Sequence, residues 1–160
     1  MPNWCYNKLT IEDCSPELES YLRENGLSLE RIKPTPPEKL DDEDGSWYGW
    51  RLENWGTKWD FTGNEQRDIA DALLSEDTDF TAFFDTAWSP PCKGIAELSA
   101  MFPDDRFTLH YVEFGMCFAG TAHIANGESI EEDTSELDEV NRHAADHFDY
   151  DYEELSSHES

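Results

Sequence analysis

Basic residues are what this chain most lacks. Its 11 lysines and arginines, only five of them lysine, stand against 37 aspartates and glutamates, for a formal net charge of −26. A surface so one-sided repels nucleic-acid phosphates and anionic lipid, so neither is an expected ligand. Long apolar runs are also missing. None approaches the roughly 18 residues that a membrane span needs. The opening Met1-Pro2-Asn3-Trp4-Cys5 has neither the basic nor the apolar stretch of a secretory leader. The expected setting is therefore cytoplasmic. Cysteine is sparse, and Cys5, Cys14, Cys92 and Cys117 include no Cys-x-x-Cys pair. Four reduced, mostly buried thiols are expected, not an iron–sulfur or ribbon-type metal site. A zinc site joining Cys5 or Cys117 to His110 or His123 has no ligand spacing behind it. The nine glycines are isolated, which removes a phosphate-cradling loop, and there is no Gly-x-Ser-x-Gly elbow.

Tryptophan, by contrast, is abundant and clustered. Five of the six (Trp47, Trp50, Trp55, Trp59 and Trp88) lie between residues 47 and 88, within Asn54-Trp55-Gly56-Thr57-Lys58-Trp59-Asp60, Thr86-Ala87-Trp88-Ser89-Pro90-Pro91 and the stretch before them. Such segments mark either an architectural junction or a binding face. Glu53, Asn54, Trp55, Lys58, Trp59, Asp60 and Trp88 are the candidate pocket residues there. Pairing carboxylates such as Glu53 and Asp85 as acid and base means little in a chain with 37 acids. Lys58, between Trp55 and Trp59, suits cation–π packing or an ion pair with Asp60 or Glu53.

The charge is uneven. From Glu128 to Ser160 there are 13 acids against Arg142 alone, while the preceding 127 residues hold 24 acids and 10 bases. Asp41, Asp42, Glu43 and Asp44 form a second cluster after the proline-rich Lys33-Pro34-Thr35-Pro36-Pro37. Charge runs of this kind ordinarily form solvated faces. Leu137, Val140, Ala144, His147 and Phe148 nevertheless trace an apolar stripe, predicting a helix over 135–148. His143 and His147 fall four apart on it, a metal-compatible spacing to which Asp146 and Asp149 add oxygens. No third ligand follows at a recognisable spacing, so a solvated helix face is expected, with no metal and no cofactor.

Residues 4–11 alternate and predict a strand; Ser15-Pro16-Glu17 opens a helix that Asn25-Gly26 ends. Residues 27–32 alternate again and predict a short strand. Residues 47–61 have no clean period and predict a helical turn or loop, with a strand-like stretch at 59–62. A surface helix is predicted over 64–74, strands over 79–86, 106–113 and 116–124, and a helix over 91–101. That order predicts an α+β fold, a ferredoxin-like split β-α-β sandwich built from two β-α-β units. The expected domain spans 1–127 with an insertion at about 34–78, followed by an acidic, helical C-terminal extension over 128–160.

Asn3-Trp4-Cys5-Tyr6-Asn7, Ile32-Lys33-Pro34-Thr35-Pro36, the two tryptophan segments with their flanks from Glu53 and Asp85, and Tyr111-Val112-Glu113-Phe114-Gly115 resemble the YubB-type ferredoxin-like family of plasmids and phages. The resemblance covers roughly residues 1–127. It implies a ferredoxin-like fold and carriage on mobile elements, and no reaction or catalytic residues.

Together these features predict a non-enzymatic interaction protein of a mobile element. It would act as an acidic DNA mimic against a basic nucleic-acid-binding or defence protein of the host. The expected partner-binding residues are Asp41, Asp42, Glu43, Asp44, Glu131, Glu132, Asp133, Glu136, Asp138, Glu139, Asp146, Asp149 and Asp151, with Phe148, Tyr150 and Tyr152 as aromatic anchors. Spread evenly, the charge is much sparser than that of duplex DNA, so mimicry needs clustering on one face. Two alternatives stay open. One is a small-ligand pocket or enzyme at the Trp55, Trp59 and Trp88 junction; the other is a carboxylate-rich surface adapted to high salt.

Overall fold

The computed structural model describes residues 3–40, 46–60, 79–148 and 150–157. The 41–44 acidic cluster and the helix predicted over 64–74 lie outside the described residues. The first strand, β1 (Trp4–Glu12), alternates as expected and buries Cys5, Asn7, Leu9 and Ile11 on one face. Helix α1 (Pro16–Asn25) follows, with Ser15 as N-cap and Gly26 at φ 69° as its stop. The Ser15 N–H and hydroxyl both donate to the buried Asp105 carboxylate, at 2.8 and 2.6 Å, fixing the start of α1 beside the start of a distant strand.

Residues 27–32 depart from the predicted strand. They hold a single helical turn, α2 (Leu29–Ile32), with Ser28 as its N-cap. A short apolar alternation fits either state. Here Asp60, brought in from the tryptophan segment, accepts from the Leu29 N–H at 2.7 Å and the Glu30 N–H at 3.2 Å and selects the helix. The first of the two expected β-α-β units is therefore not formed through this segment. After the one-turn α3 (Pro37–Leu40), the tryptophan-rich stretch forms α4 (Ser46–Asn54). The strand predicted at 59–62 is not seen at Trp59 and Asp60, and residues 61–62 lie outside the described residues.

The rest of the order is β2 (Phe80–Ala87), α5 (Cys92–Met101), β3 (Arg106–Glu113), β4 (Phe118–Ala125), β5 (Glu128–Thr134), α6 (Leu137–Phe148) and α7 (Tyr152–Ser157). The five strands form one sheet in the order β2-β1-β3-β4-β5, with every neighbouring pair antiparallel. β2 and β3 thus run parallel on either side of β1 and are joined by α5. That is a split β-α-β unit, and the fold is the ferredoxin-like α+β class predicted.

The acidic segment after Gly127 is part of this sheet. Asn126 and Gly127 adopt φ of 50° and 81°, the paired positive values that a two-residue hairpin turn requires, and β5 pairs with β4 along its length. The 127/128 boundary therefore falls inside a hairpin.

The sheet has two different faces. On one, α1 and α5 cover a core of Leu9, Ile11, Leu18, Leu22, Phe80, Phe84, Ile95, Leu98, Phe107 and Leu109. On the other, α6 sets Val140 and Ala144 against Val112 and Ala119, flanked by Tyr6, Phe114 and Phe148. Among the described residues, no helix is long and apolar enough to cross a membrane.

Candidate functional site

The two tryptophan segments lock onto each other. The Thr57 hydroxyl donates to the Ala87 carbonyl at 2.8 Å, and the Ser89 hydroxyl to the Gly56 carbonyl at 2.5 Å. Trp55 is fully buried, and its indole N–H donates to the Lys33 carbonyl at 2.9 Å. The Gly94 N–H donates to the Trp55 carbonyl at 3.0 Å, and a Cβ on Gly94 would sit 2.3 Å from Leu29 Cδ2, so a larger residue there would have to displace the buried Leu29 side chain. The Arg51 guanidinium lies 4.7 Å from the Trp55 ring and 4.8 Å from that of Trp47. Lys58 lies 4.8 Å from the Trp59 ring and 5.4 Å from Tyr48, the cation–π packing its position suggested.

Of the seven candidate pocket residues here, Trp55, Asn54 and Asp60 make internal hydrogen bonds, Lys58 and Trp59 stack, and Glu53 and Trp88 are exposed. None of the seven lines the neighbouring cavity of about 540 Å³, whose wall includes Gly56, Ser89, Lys93, Tyr111, Glu131 and Asp133. Asp85, the suggested acid–base partner of Glu53, stands on β2 opposite Tyr6, where burial raises its carboxyl above the ordinary range. Glu113 is spent on structure: fully buried, it accepts from the N–H groups of Gly115 and Met116 and closes the β3–β4 turn. The four thiols are free, and burial pushes those of Cys5 and Cys92 far above the reactive range.

The acids of β5 and early α6 form one exposed rim. On β5, Glu131 and Asp133 stand opposite Ala122 and Gly120 on the α5 side, while Glu128 and Glu132 stand opposite Ala125 and Thr121 on the α6 side; all four are exposed. Glu136, Asp138 and Glu139 continue the rim into α6. Arg142, the one base of this segment, pairs with Asp138 at 2.9 Å and lies 4.6 Å from the Tyr152 ring, whose hydroxyl also donates to Asp138. The expected aromatic anchors are largely used internally. Phe148 meets Phe83 edge-on at 6.3 Å, and Tyr150 meets Phe114 at 5.2 Å. Asp151 caps α7 by accepting from the Glu153 N–H at 2.9 Å, and Asp149 lies outside the described residues.

The helix face expected to be solvated is not. His143 and His147 point from α6 onto the sheet and meet His110 of β3. The ring centroids of His110 and His147 are 3.6 Å apart and nearly parallel, those of His143 and His147 are 4.5 Å apart, and those of His110 and His143 are 5.5 Å apart. One nitrogen of each lies within 4.8 Å of those of the other two. The third imidazole comes from a strand far upstream, where no linear spacing reveals it. Register places it: His110 stands opposite Lys8 on β1 and Thr121 on β4, on the face that α6 covers.

His110 Nδ1 is 2.8 Å from the Thr121 hydroxyl. Burial, reinforced by the neighbouring imidazoles, brings His110 down to about 3 and His143 to about 4; burial and Lys8 lower His147 too. The lowering favours the neutral form of all three rings at pH 7. The cysteines proposed for a mixed site are not here: Cys5 faces the opposite side of the sheet, and the Cys117 thiol donates to the Ser135 carbonyl.

No curated protein and no solved structure matches the chain. Residues 58–149, more than half the chain and running from the end of the first tryptophan segment through β2 to α6, match the family described as the ferredoxin-like domain in Api92-like protein; the chain belongs to that family.

Proposed function

We propose that this chain is a non-enzymatic interaction protein that binds a basic, nucleic-acid-binding partner through the acidic rim of β5 and α6. The observation that carries the reading is the placement of Glu128, Glu131, Glu132 and Asp133 on a strand at the end of the sheet, continued by Glu136, Asp138 and Glu139. An antiparallel strand advances about 3.4 Å per residue. One strand of duplex DNA advances about 3.4 Å per phosphate. Consecutive β5 residues alternate between the two faces, so carboxylates on one face, such as Glu131 and Asp133, recur about every 6.8 Å, twice the axial phosphate spacing; what supports the reading is the run of seven exposed acids along one rim. The likeness of the tryptophan segments to a plasmid- and phage-borne family supports the finer setting, a mobile-element protein directed at a host nucleic-acid-binding or defence protein in the host cytoplasm.

The test is capture of host proteins by the full chain at low and high salt, with duplex DNA as competitor, beside the variant E131Q/E132Q/D133N. Retention of DNA-binding proteins that DNA and salt displace and the variant loses is the expected result. Equal retention by the variant, or none at either salt, removes the reading. Empty capture favours adaptation of the surface to salt. A second reading rests on the 540 Å³ cavity beside the tryptophan junction. There Lys93, Tyr111, Glu131 and Asp133 surround a space adequate for a small polar ligand. Ligand-induced thermal shift that Lys93→Ala abolishes is its signature.

A further inference from the structure

We propose that His110, His143 and His147 form a binding site for a borderline-soft divalent transition ion of the Zn²⁺ class, a function separate from the acidic rim. Three imidazoles with no protein carboxylate among them match the donor set of three-histidine zinc sites, which leave a fourth position open. Ligand nitrogens at roughly 2.0–2.1 Å from a tetrahedral ion lie about 3.3 Å apart. The nitrogens here already lie within 4.8 Å of one another, so closing the set takes a shift of no more than about 1.5 Å in any pair. Coordination would require the His147 ring to leave its stack on His110 and present an edge.

Three further observations point to a ligand. His143 Nε2 is buried and has no hydrogen-bond partner, an unusual state for an imidazole unless something else occupies it. One imidazole is already held from outside the cluster. Thr121 engages His110 Nδ1 at 2.8 Å, the kind of outer hydrogen bond that orients a metal-bound histidine. Finally, a cavity of about 310 Å³ bounded by Gly120, Thr121, Glu132, Arg142, His143 and Asp146 opens beside the cluster. It gives an ion a way in and a water a place to complete the coordination. Its acidic lip concentrates divalent cations at the entrance.

The acidic surface also attracts divalent ions without selecting among them, so the experiment separates the two. The full chain is titrated with Zn²⁺ and Co²⁺ in a large excess of Mg²⁺, which prefers oxygen ligands. The site predicts one Zn²⁺ per chain retained against Mg²⁺ and an intense visible Co²⁺ spectrum of tetrahedral type. His147→Gln should weaken affinity by well over tenfold. Thr121→Val, which removes only the orienting bond on His110, should weaken it by about tenfold. His123→Gln, on an exposed β4 residue outside the cluster, should leave it unchanged. Imidazole NMR of the unmutated chain covers the case in which a variant fails to fold: Zn²⁺ should shift His110, His143 and His147 and not His123. Displacement of Zn²⁺ by Mg²⁺, equal affinity in His147→Gln, or unshifted cluster imidazoles would each overturn the site.

Discussion

Replacing Asp60 with alanine should destabilise the fold while touching nothing exposed. Its carboxylate accepts from the Ser28 hydroxyl at 2.7 Å, the Leu29 N–H at 2.7 Å and the Glu30 N–H at 3.2 Å, and so joins the tryptophan segment to the start of α2. A hydrogen bond to a charged group contributes about 1.5–3 kcal/mol net, and loss of a helix N-terminal acceptor about 0.5–2. The three bonds share one side chain, and Ser28 keeps its own acceptance from Arg31, so they do not add in full. The expected cost is about 2–3 kcal/mol, or roughly 5–10 °C in Tm for a chain of this size. Asp60→Asn keeps an acceptor and loses the charge, and should cost about half as much. Urea denaturation measures both, and the m-value should not change. A double-mutant cycle with Ser28→Ala should show coupling of about 1 kcal/mol. If Asp60→Ala moved stability by less than about 0.5 kcal/mol, the architectural account of this motif would fail, and Asp60 would return to consideration as a ligand-binding residue.

Truncation after Gly127 removes β5 and α6 together, exposing Val112 and Ala119 and leaving β4 as a bare edge; loss of a cooperative thermal transition, with aggregation, is expected, and a normal melt would show that the segment is dispensable. Cys14, raised to about 11 by burial and by the Asp105 and Glu19 carboxylates, gains thiolate only as pH rises. Its iodoacetamide labelling, followed by peptide mass, should increase about tenfold per pH unit through pH 10 and level off near its pKa. A plateau near pH 9 would refute that shift.

Local signals in the sequence carried the regular elements. The alternation of residues 4–11, the Ser15-Pro16 cap, the Asn25-Gly26 stop and the stripe of Leu137, Val140 and Ala144 each specify structure over one or two turns, and each element formed where predicted. β5 was legible but obscured. Asn126-Gly127 is a strong hairpin signal, yet the dense acids beyond it read as a solvated run, because an edge strand buries too little to demand an apolar face. The helical turn at 29–32 was not legible locally, since the carboxylate that selects it arrives from Asp60.

The sequence by itself determined the charge, the strand and helix periods, and hence the fold class, because these depend on neighbours within a few residues. Only the tertiary structure decided which polar groups meet. Strand register put His110 opposite Thr121, and the packing of Val140 and Ala144 on Val112 and Ala119 turned His143 and His147 onto the same spot. Such a meeting depends on pairings between segments far apart in the chain, which no linear spacing encodes.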